Sequence, residues 1–145
     1  MYPKLLILFG IVLGCTDKSS DSGHHAHHHD DGDLPDDFDP TTEVQTDLGS
    51  YTVSYTTDPS PIPESALFSV TFTLSEGTLV RADATMPTHS DHGMTVAPTI
   101  TTNDDGTFTA TPFEFHMPGY WAIHATVQGM DGTEESAEFD VECCE

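Results

Sequence analysis

The sequence predicts an all-β fold, a seven-stranded antiparallel β-sandwich. From about residue 49 onward, short runs rich in Val, Thr, Phe and Tyr alternate between apolar and polar residues, which is typical of half-buried strands. Turn-forming residues separate these runs, and no helix is needed anywhere among them. Seven strands in about 95 residues match the size of an Ig-like domain. The predicted architecture is therefore Ig-like.

The predicted strands are bounded by residues that interrupt β-structure. The prolines within 58–63 cannot continue a central strand. The glycines that end 76–77, 103–106 and 129–132 are typical of tight turns. The seven strands are predicted at residues 49–57, 66–74, 78–86, 94–101, 107–115, 120–128 and 133–142.

Each predicted strand has one apolar face, and two such sheets pack together as a sandwich. The residues predicted to face inward are Ala66, Phe68, Val70, Phe72, Leu74, Val80, Ala82, Ala84, Met86, Met94, Val96, Pro98, Ile100, Phe113, Phe115, Met117, Trp121, Ile123, Ala125, Val127, Phe139, Val141 and Cys143.

The first 14 residues are predicted to be a lipoprotein signal peptide. Lys4 supplies its positive charge, and the apolar run 5–13 is far shorter than the roughly 20 residues of a membrane-spanning helix. The run ends in Val12-Leu13-Gly14-Cys15, which resembles the bacterial lipobox. That resemblance implies lipidation of Cys15 and anchoring in the bacterial cell envelope, at the outer membrane; a plain signal peptide with an incidental cysteine is the alternative.

Residues 15–42 are predicted to be a disordered tether ahead of a domain at 43–145. The tether contains eight aspartates with Gly, Ser and Pro, so it cannot bury enough apolar surface to offset the entropy lost on ordering. Histidine-rich tracts bind metal ions through neutral imidazole, and we expect auxiliary metal capture here. The histidines concerned are His24, His25, His27, His28 and His29.

The charge of the chain excludes some partners. Its formal net charge is −22, with only three basic residues. No basic patch can form, so nucleic acid is excluded as a partner. Such a surface favours solubility first, and cations or cationic partners second.

The strand order predicts that two histidine-bearing loops meet. If every connection reverses the chain, loops 87–93 and 116–119 lie at the same end of the domain, which we call the histidine pole. The strand at 133–142 also ends there. The tether is predicted to join at the opposite end, so the histidine pole would face away from the membrane.

The histidine pole is a candidate metal site. His89 and His92 are three residues apart in a glycine-containing loop, and His116 belongs to the neighbouring loop. Imidazole suits copper, zinc and nickel, whereas thioether selects Cu(I). Met94 is the expected fourth ligand and Met117 the next, so copper is the predicted metal.

The same residues have a purely structural interpretation. Met86, Met94 and Met117 all have core-facing parity, and such methionines usually fill the end of a sandwich. In an extended strand, His116 and Met117 would point to opposite faces. His124 lies on an outward parity in mid-strand and is predicted to be a surface histidine.

Several motifs resemble the YtkA-like domain family of small Ig-like extracytoplasmic domains. They are Met86-Pro87, His92-Gly93-Met94, the turn at Gly106, and Met117-Pro118-Gly119 followed by Trp121. The resemblance covers about residues 48–128. It implies a relationship to copper-handling domains of the FixH and CopC type, and hence a metal-binding role.

Cys143 and Cys144 allow three states: a vicinal disulfide, an intermolecular disulfide, or a thiolate pair on a metal. Export favours an oxidised state. No nucleophile motif or phosphate-binding loop is visible, so the predicted function is metal binding, as a carrier or scavenger, and not catalysis. The alternative is a structural or interaction lipoprotein without a metal, whose protein partner is unknown.

Overall fold

The computed structural model describes residues 34–89 and 92–144, and this part of the chain contains eight β-strands and no helix. The strands form two antiparallel sheets with the orders β1-β2-β3-β6-β5 and β4-β7-β8. The predicted all-β fold class is confirmed. No helix in these residues is long and apolar enough to cross a membrane. The strands are β1 (Glu43–Gln45), β2 (Thr52–Asp58), β3 (Leu67–Leu74), β4 (Thr78–Thr85), β5 (Thr99–Thr102), β6 (Phe108–Glu114), β7 (Gly119–Gln128) and β8 (Glu134–Cys143).

The two sheets share one hydrophobic core. Alternate residues of the long strands point inward, so Phe68, Val70 and Phe72 of β3 are buried together with Trp121 and Ile123 of β7. Burying one side chain of this kind contributes about 2 kcal/mol. Burial of the apolar side chains that alternate along these strands is therefore the main source of stability.

Two residues that were predicted to face the core are exposed. Val80 is 40 % exposed whereas Leu79 is 3 % exposed, because a β-bulge between Leu79 and Arg81 shifts the register of β4 against β7. Ala66 is exposed because β3 begins only after it. A bulge adds one residue to one strand. Side chains on one side of the bulge therefore face the side of the sheet opposite to the one that simple alternation predicts.

The predicted strand 94–101 is shorter in the structure. β5 comprises only Thr99–Thr102, and the chain before it makes one isolated bridge, between Thr85 and Gly93. Pro98 has no N–H to donate to a ladder, which explains the late start of β5.

Strand β1 was not predicted. It pairs with β2, with Glu43 opposite Ser54 and Gln45 opposite Thr52. The turn between them is closed by two backbone hydrogen bonds, from the Thr46 N–H to the Tyr51 carbonyl and from the Gly49 N–H to the Thr46 carbonyl. A three-residue strand is too short to show an alternating pattern. The segment predicted as the strand 49–57 thus begins with this turn.

Strand β1 also reverses the direction from which the chain enters the domain. Because β2 runs toward the histidine pole, residues that precede Glu43 lie closer to that pole. The Phe38 ring packs 5.8 Å from the ring of Tyr120, which follows the first residue of β7, and the Asp39 N–H donates to Asp140 at 3.0 Å. The prediction that the tether joins at the opposite end is therefore wrong.

Candidate functional site

Backbone hydrogen bonds join the described residues of the first histidine-bearing loop. The His89 N–H donates to the Met86 carbonyl, the His92 N–H donates to the His89 carbonyl, and the Met86 N–H donates to the His92 carbonyl, all at 2.9–3.1 Å. A turn closed from residue i to residue i+3 brings its ends together. The rings of His89 and His92 are accordingly 5.8 Å apart, centre to centre.

The second loop places His116 beside the first. The ring of His116 lies 6.5 Å from the ring of His92 and 5.5 Å from the ring of Trp121. Trp121 attaches this loop to the core, because its indole N–H donates to the Met117 carbonyl at 2.9 Å. Ser65 holds the other side by donating its N–H to the Phe115 carbonyl. The three predicted histidines therefore form one row.

The imidazole of His116 contains an unusual atom. Its Nδ1 is buried, and it is the one buried side-chain nitrogen or oxygen among the described residues that has no hydrogen-bond partner. Buried polar groups are nearly always paired, since an unpaired one costs about 1–3 kcal/mol. His124 shows the contrast: its Nε2 lies 2.8 Å from Thr85 Oγ1 and its Nδ1 lies 3.3 Å from Glu138.

Two ring spacings, between His89 and His92 and between His92 and His116, are each compatible with a pair of rings on one ion. Imidazole nitrogens bind a metal at about 2.0–2.1 Å, so the centres of two rings on one ion lie about 5–6.5 Å apart. The ring distances of 5.8 and 6.5 Å fall at or near this range. Within residues 34–89 and 92–144, no group of three or more His, Cys, Asp or Glu side chains converges as tightly as a formed metal site. The rings would have to turn toward a common point.

The three methionines of the histidine pole divide into two groups. Met86 is 2 % exposed and belongs to the core, and its methyl group lies 3.7 Å from the position that a Cβ on Gly119 would occupy. Met94 and Met117 are only partly buried and pack against the core from outside. Met86 thus acts as a filler of the sandwich end, whereas the thioethers of Met94 and Met117 remain partly accessible.

His124 occupies the position that its parity predicts. It lies on the outer face of the three-stranded sheet, opposite Asp83 of β4 and Glu138 of β8. Both of its ring nitrogens have partners on that face. It is not part of the histidine row.

Cys143 and Cys144 form a vicinal disulfide in the structure. Cys143 is 3 % exposed and lies opposite Gly119 at the histidine pole. Cys144 is partly buried and has a φ of 73°, in the left-handed region that non-glycine residues rarely adopt. Of the three states that the sequence allowed, the structure adopts this one.

A groove beside this disulfide was not foreseen. It encloses about 970 Å³ between the end of β2, the proline-rich loop 59–64 and the end of β8, with Cys144 in its wall. The prolines of that loop indicated only a break between strands. A groove depends on how two sheet edges lie across from each other, and no local pattern of residues encodes that.

The predicted lipidation site Cys15 and the five tract histidines, His24, His25, His27, His28 and His29, lie outside the described residues. Comparisons with protein families, with curated proteins and with solved structures give no match to the chain. The resemblance to the YtkA-like family therefore stays a prediction.

Proposed function

We propose that this chain is a lipid-anchored, extracytoplasmic protein with an Ig-like β-sandwich that binds a transition metal, copper in the first place, at the histidine pole. The observation that supports this most directly is the buried, unpartnered Nδ1 of His116 in a row with His92 and His89. A metal ion would supply the partner that this nitrogen lacks.

The strand order supports the Ig-like part of the proposal. In constant-type Ig domains the sheets have the orders A-B-E-D and C-F-G. If β2 to β8 are taken as A to G, the two sheets have this arrangement, with β1 added at the edge of the first sheet. Aromatic rings from both sheets meet at the core, as between the partly buried Tyr55 and the buried Phe139 at 4.9 Å.

The donor set favours copper. Three imidazoles suit several divalent ions, but thioether sulfur selects soft Cu(I). Among the methionines of the histidine pole, Met94 and Met117 are the two that are only partly buried. We therefore propose His89, His92 and His116 as ligands, with Met94 as the fourth and Met117 as the next. The chain supplies donors and no identifiable reacting group, which favours binding over catalysis.

The tether supports a collecting role. His29, the last histidine of the tract, precedes Phe38 by nine residues. Nine residues in an extended chain reach at most about 32 Å. Phe38 itself packs near the histidine pole. The tract is thus within covalent reach of the proposed site. The entry of the chain at this pole also removes the topological reason for the pole to face away from the membrane.

The metal is tested by titrating Cu(I) and Cu(II) into the full chain in which the five tract histidines are replaced by Ala, purified in detergent. We expect His89→Ala, His92→Ala and His116→Ala together to weaken binding at least about 100-fold, a difference of about 2.7 kcal/mol. His124→Ala is the matched control, because both nitrogens of His124 are already paired on the outer face.

Equal, weak binding by the parent and the triple variant would contradict the metal proposal. It would favour the second candidate function, a structural or interaction lipoprotein whose pole is only a packed cap. The burial of Met86 in the core is the observation that speaks for that candidate.

The anchor is tested separately. Cys15→Ser should move the chain from the membrane fraction to the soluble extracytoplasmic fraction and abolish incorporation of labelled fatty acid, because lipid on this cysteine is the proposed attachment. Unchanged fractionation would contradict the lipid anchor and leave the metal proposal standing.

A further inference from the structure

The vicinal disulfide and the groove beside it form a second chemical site at the histidine pole. Cys144 lies in the wall of the groove, whereas Cys143, its partner, is 3 % exposed and packs in the core. The two sulfurs of one bond therefore face different surroundings. A thiolate that arrives through the groove therefore meets Cys144 and not the buried Cys143.

The groove has the features of a site for an extended peptide. β1 pairs only with Thr52 to Ser54, and the Thr42 carbonyl accepts the Tyr55 N–H just beyond. Among the described residues, no strand pairs with the same edge of β2 at Thr56 and Thr57, which line the groove. An extended segment can add to such an edge by main-chain hydrogen bonds.

The walls of the groove indicate the side chains that such a segment would carry. Ile62 and Pro63 supply apolar surface on one side, and Glu64 and Glu142 supply carboxylates. The described residues contain a single basic side chain, Arg81, which belongs to β4 and is not part of the groove. Charge complementarity therefore favours a segment with basic residues.

We propose that this groove binds an extended, basic segment of an exported protein that carries two thiols, and that the Cys143–Cys144 disulfide oxidises them by thiol–disulfide exchange. This activity rests on the proposed extracytoplasmic location but not on the proposed metal site, because none of the histidine ligands takes part in it.

The exchange is balanced without any further reactant. The first partner thiol loses its proton to water, and its sulfur bonds to Cys144 Sγ. The Cys143–Cys144 bond breaks, and its electron pair goes to Cys143 Sγ, which takes up a proton. The second partner thiol then attacks the partner sulfur of the mixed disulfide and releases Cys144 as a thiol. The partner ends as a disulfide, and Cys143 and Cys144 end as thiols.

The test uses the full chain with Cys15→Ser in detergent, so that Cys143 and Cys144 are its only cysteines. The probe is a synthetic peptide with a Cys-Gly-Pro-Cys sequence flanked by lysines, and a second peptide has glutamates instead. Mass spectrometry follows the gain of two hydrogens by the protein. We expect reduction by the lysine peptide to be at least about tenfold faster than by the glutamate peptide. We expect Glu64→Gln with Glu142→Gln to remove most of this preference.

Single-cysteine variants test the direction of attack. Cys143→Ser leaves the sulfur of Cys144 in the groove, so it should form a mixed disulfide with the oxidised lysine peptide. Cys144→Ser leaves only the buried Cys143 and should form this adduct at least about tenfold more slowly. Trp121 fluorescence shows whether each variant is folded.

An oxidised protein that is not reduced by either peptide would overturn the proposal. Equal rates with both peptides would overturn the role of the groove. Equal adduct formation at Cys143 and Cys144 in folded variants would overturn the proposed point of attack.

Discussion

The two ends of this domain differ in how completely their polar groups are paired. At the end opposite the histidine pole, the turn carboxylates have hydrogen-bond donors: Asp105 accepts from Thr107, and Asp131 accepts from Thr133. These bonds are the main cause of the lowered pKa values of both carboxyls. This end, which we call the turn pole, is built from self-contained turns.

At the histidine pole, the polar groups are less completely paired. It contains the unpartnered Nδ1 of His116, a vicinal disulfide with Cys144 at a positive φ, and a groove beside an unpaired strand edge. Proteins tolerate local violations of good packing and pairing mainly at functional sites. The comparison teaches that the two ends of one sandwich differ: the turn pole has its carboxylates paired, and the histidine pole carries the features on which the proposed functions rest.

The buried carboxylate of Glu135 belongs to the turn pole. Glu135 is 4 % exposed, and it accepts hydrogen bonds from the Thr46 hydroxyl at 2.5 Å and from the Ser50 N–H at 3.2 Å. These hydrogen bonds hold its pKa below the ordinary value. The bonds tie β8 to the turn between β1 and β2.

The largest effect is expected from a matched pair of glycine substitutions, one near each pole. Gly77 has a φ of 90°, and a Cβ there would lie 2.8 Å from Val127 Cγ1. Gly77→Ala should lower the free energy of unfolding by about 3 kcal/mol, because alanine is strained at this φ and collides with the core.

Gly93→Ala is the control at the histidine pole. A Cβ there would meet its nearest neighbour at 3.5 Å, an ordinary contact. We expect a change in the free energy of unfolding within about 0.5 kcal/mol, measured by urea denaturation. Equal losses from the two substitutions would contradict the assigned difference between the poles.

A smaller effect, of opposite sign, is expected at His116. His116→Phe removes the buried unpaired nitrogen and keeps an aromatic ring against Trp121, which lies 5.5 Å away. The metal-free protein should gain about 1 kcal/mol in the free energy of unfolding and lose the proposed copper binding. Thermal unfolding with a chelator present measures this gain. A loss of stability would show that the nitrogen is not a cost to the fold.

The smallest effect is expected in the pH profile of the turn pole. The lowered pKa of Glu135 means that its contribution to stability is fully present above its ordinary value of 4.5 and is lost as the pH falls through the lower pKa of the folded state. Glu135→Gln should therefore flatten the decline of unfolding free energy below about pH 4.5. Denaturation curves at several pH values compare the variant with the parent. Parallel profiles would contradict the role of this carboxylate.

Much of the fold could be predicted because alternation along a strand is a local signal. The residues that alternate in β3 and β7 are buried as expected. The misassignment of Val80 arose from the bulge at Leu79–Arg81, which depends on pairing with β7 and not on the residues of β4 alone. The site could be predicted in part: the row of three histidines follows from strand order, but their orientation does not.

By itself, the sequence determined the fold class, the positions of most strands and the grouping of His89, His92 and His116 at one pole. These features follow from side-chain period and chain direction, which act over a few residues at a time. Only the tertiary structure decided how the chain enters the domain at Phe38, which methionine fills the core, and that Cys144 lies in the wall of a groove. Each of these depends on contacts between segments far apart in the chain, and burial and pairing of that kind become defined only when the two sheets pack.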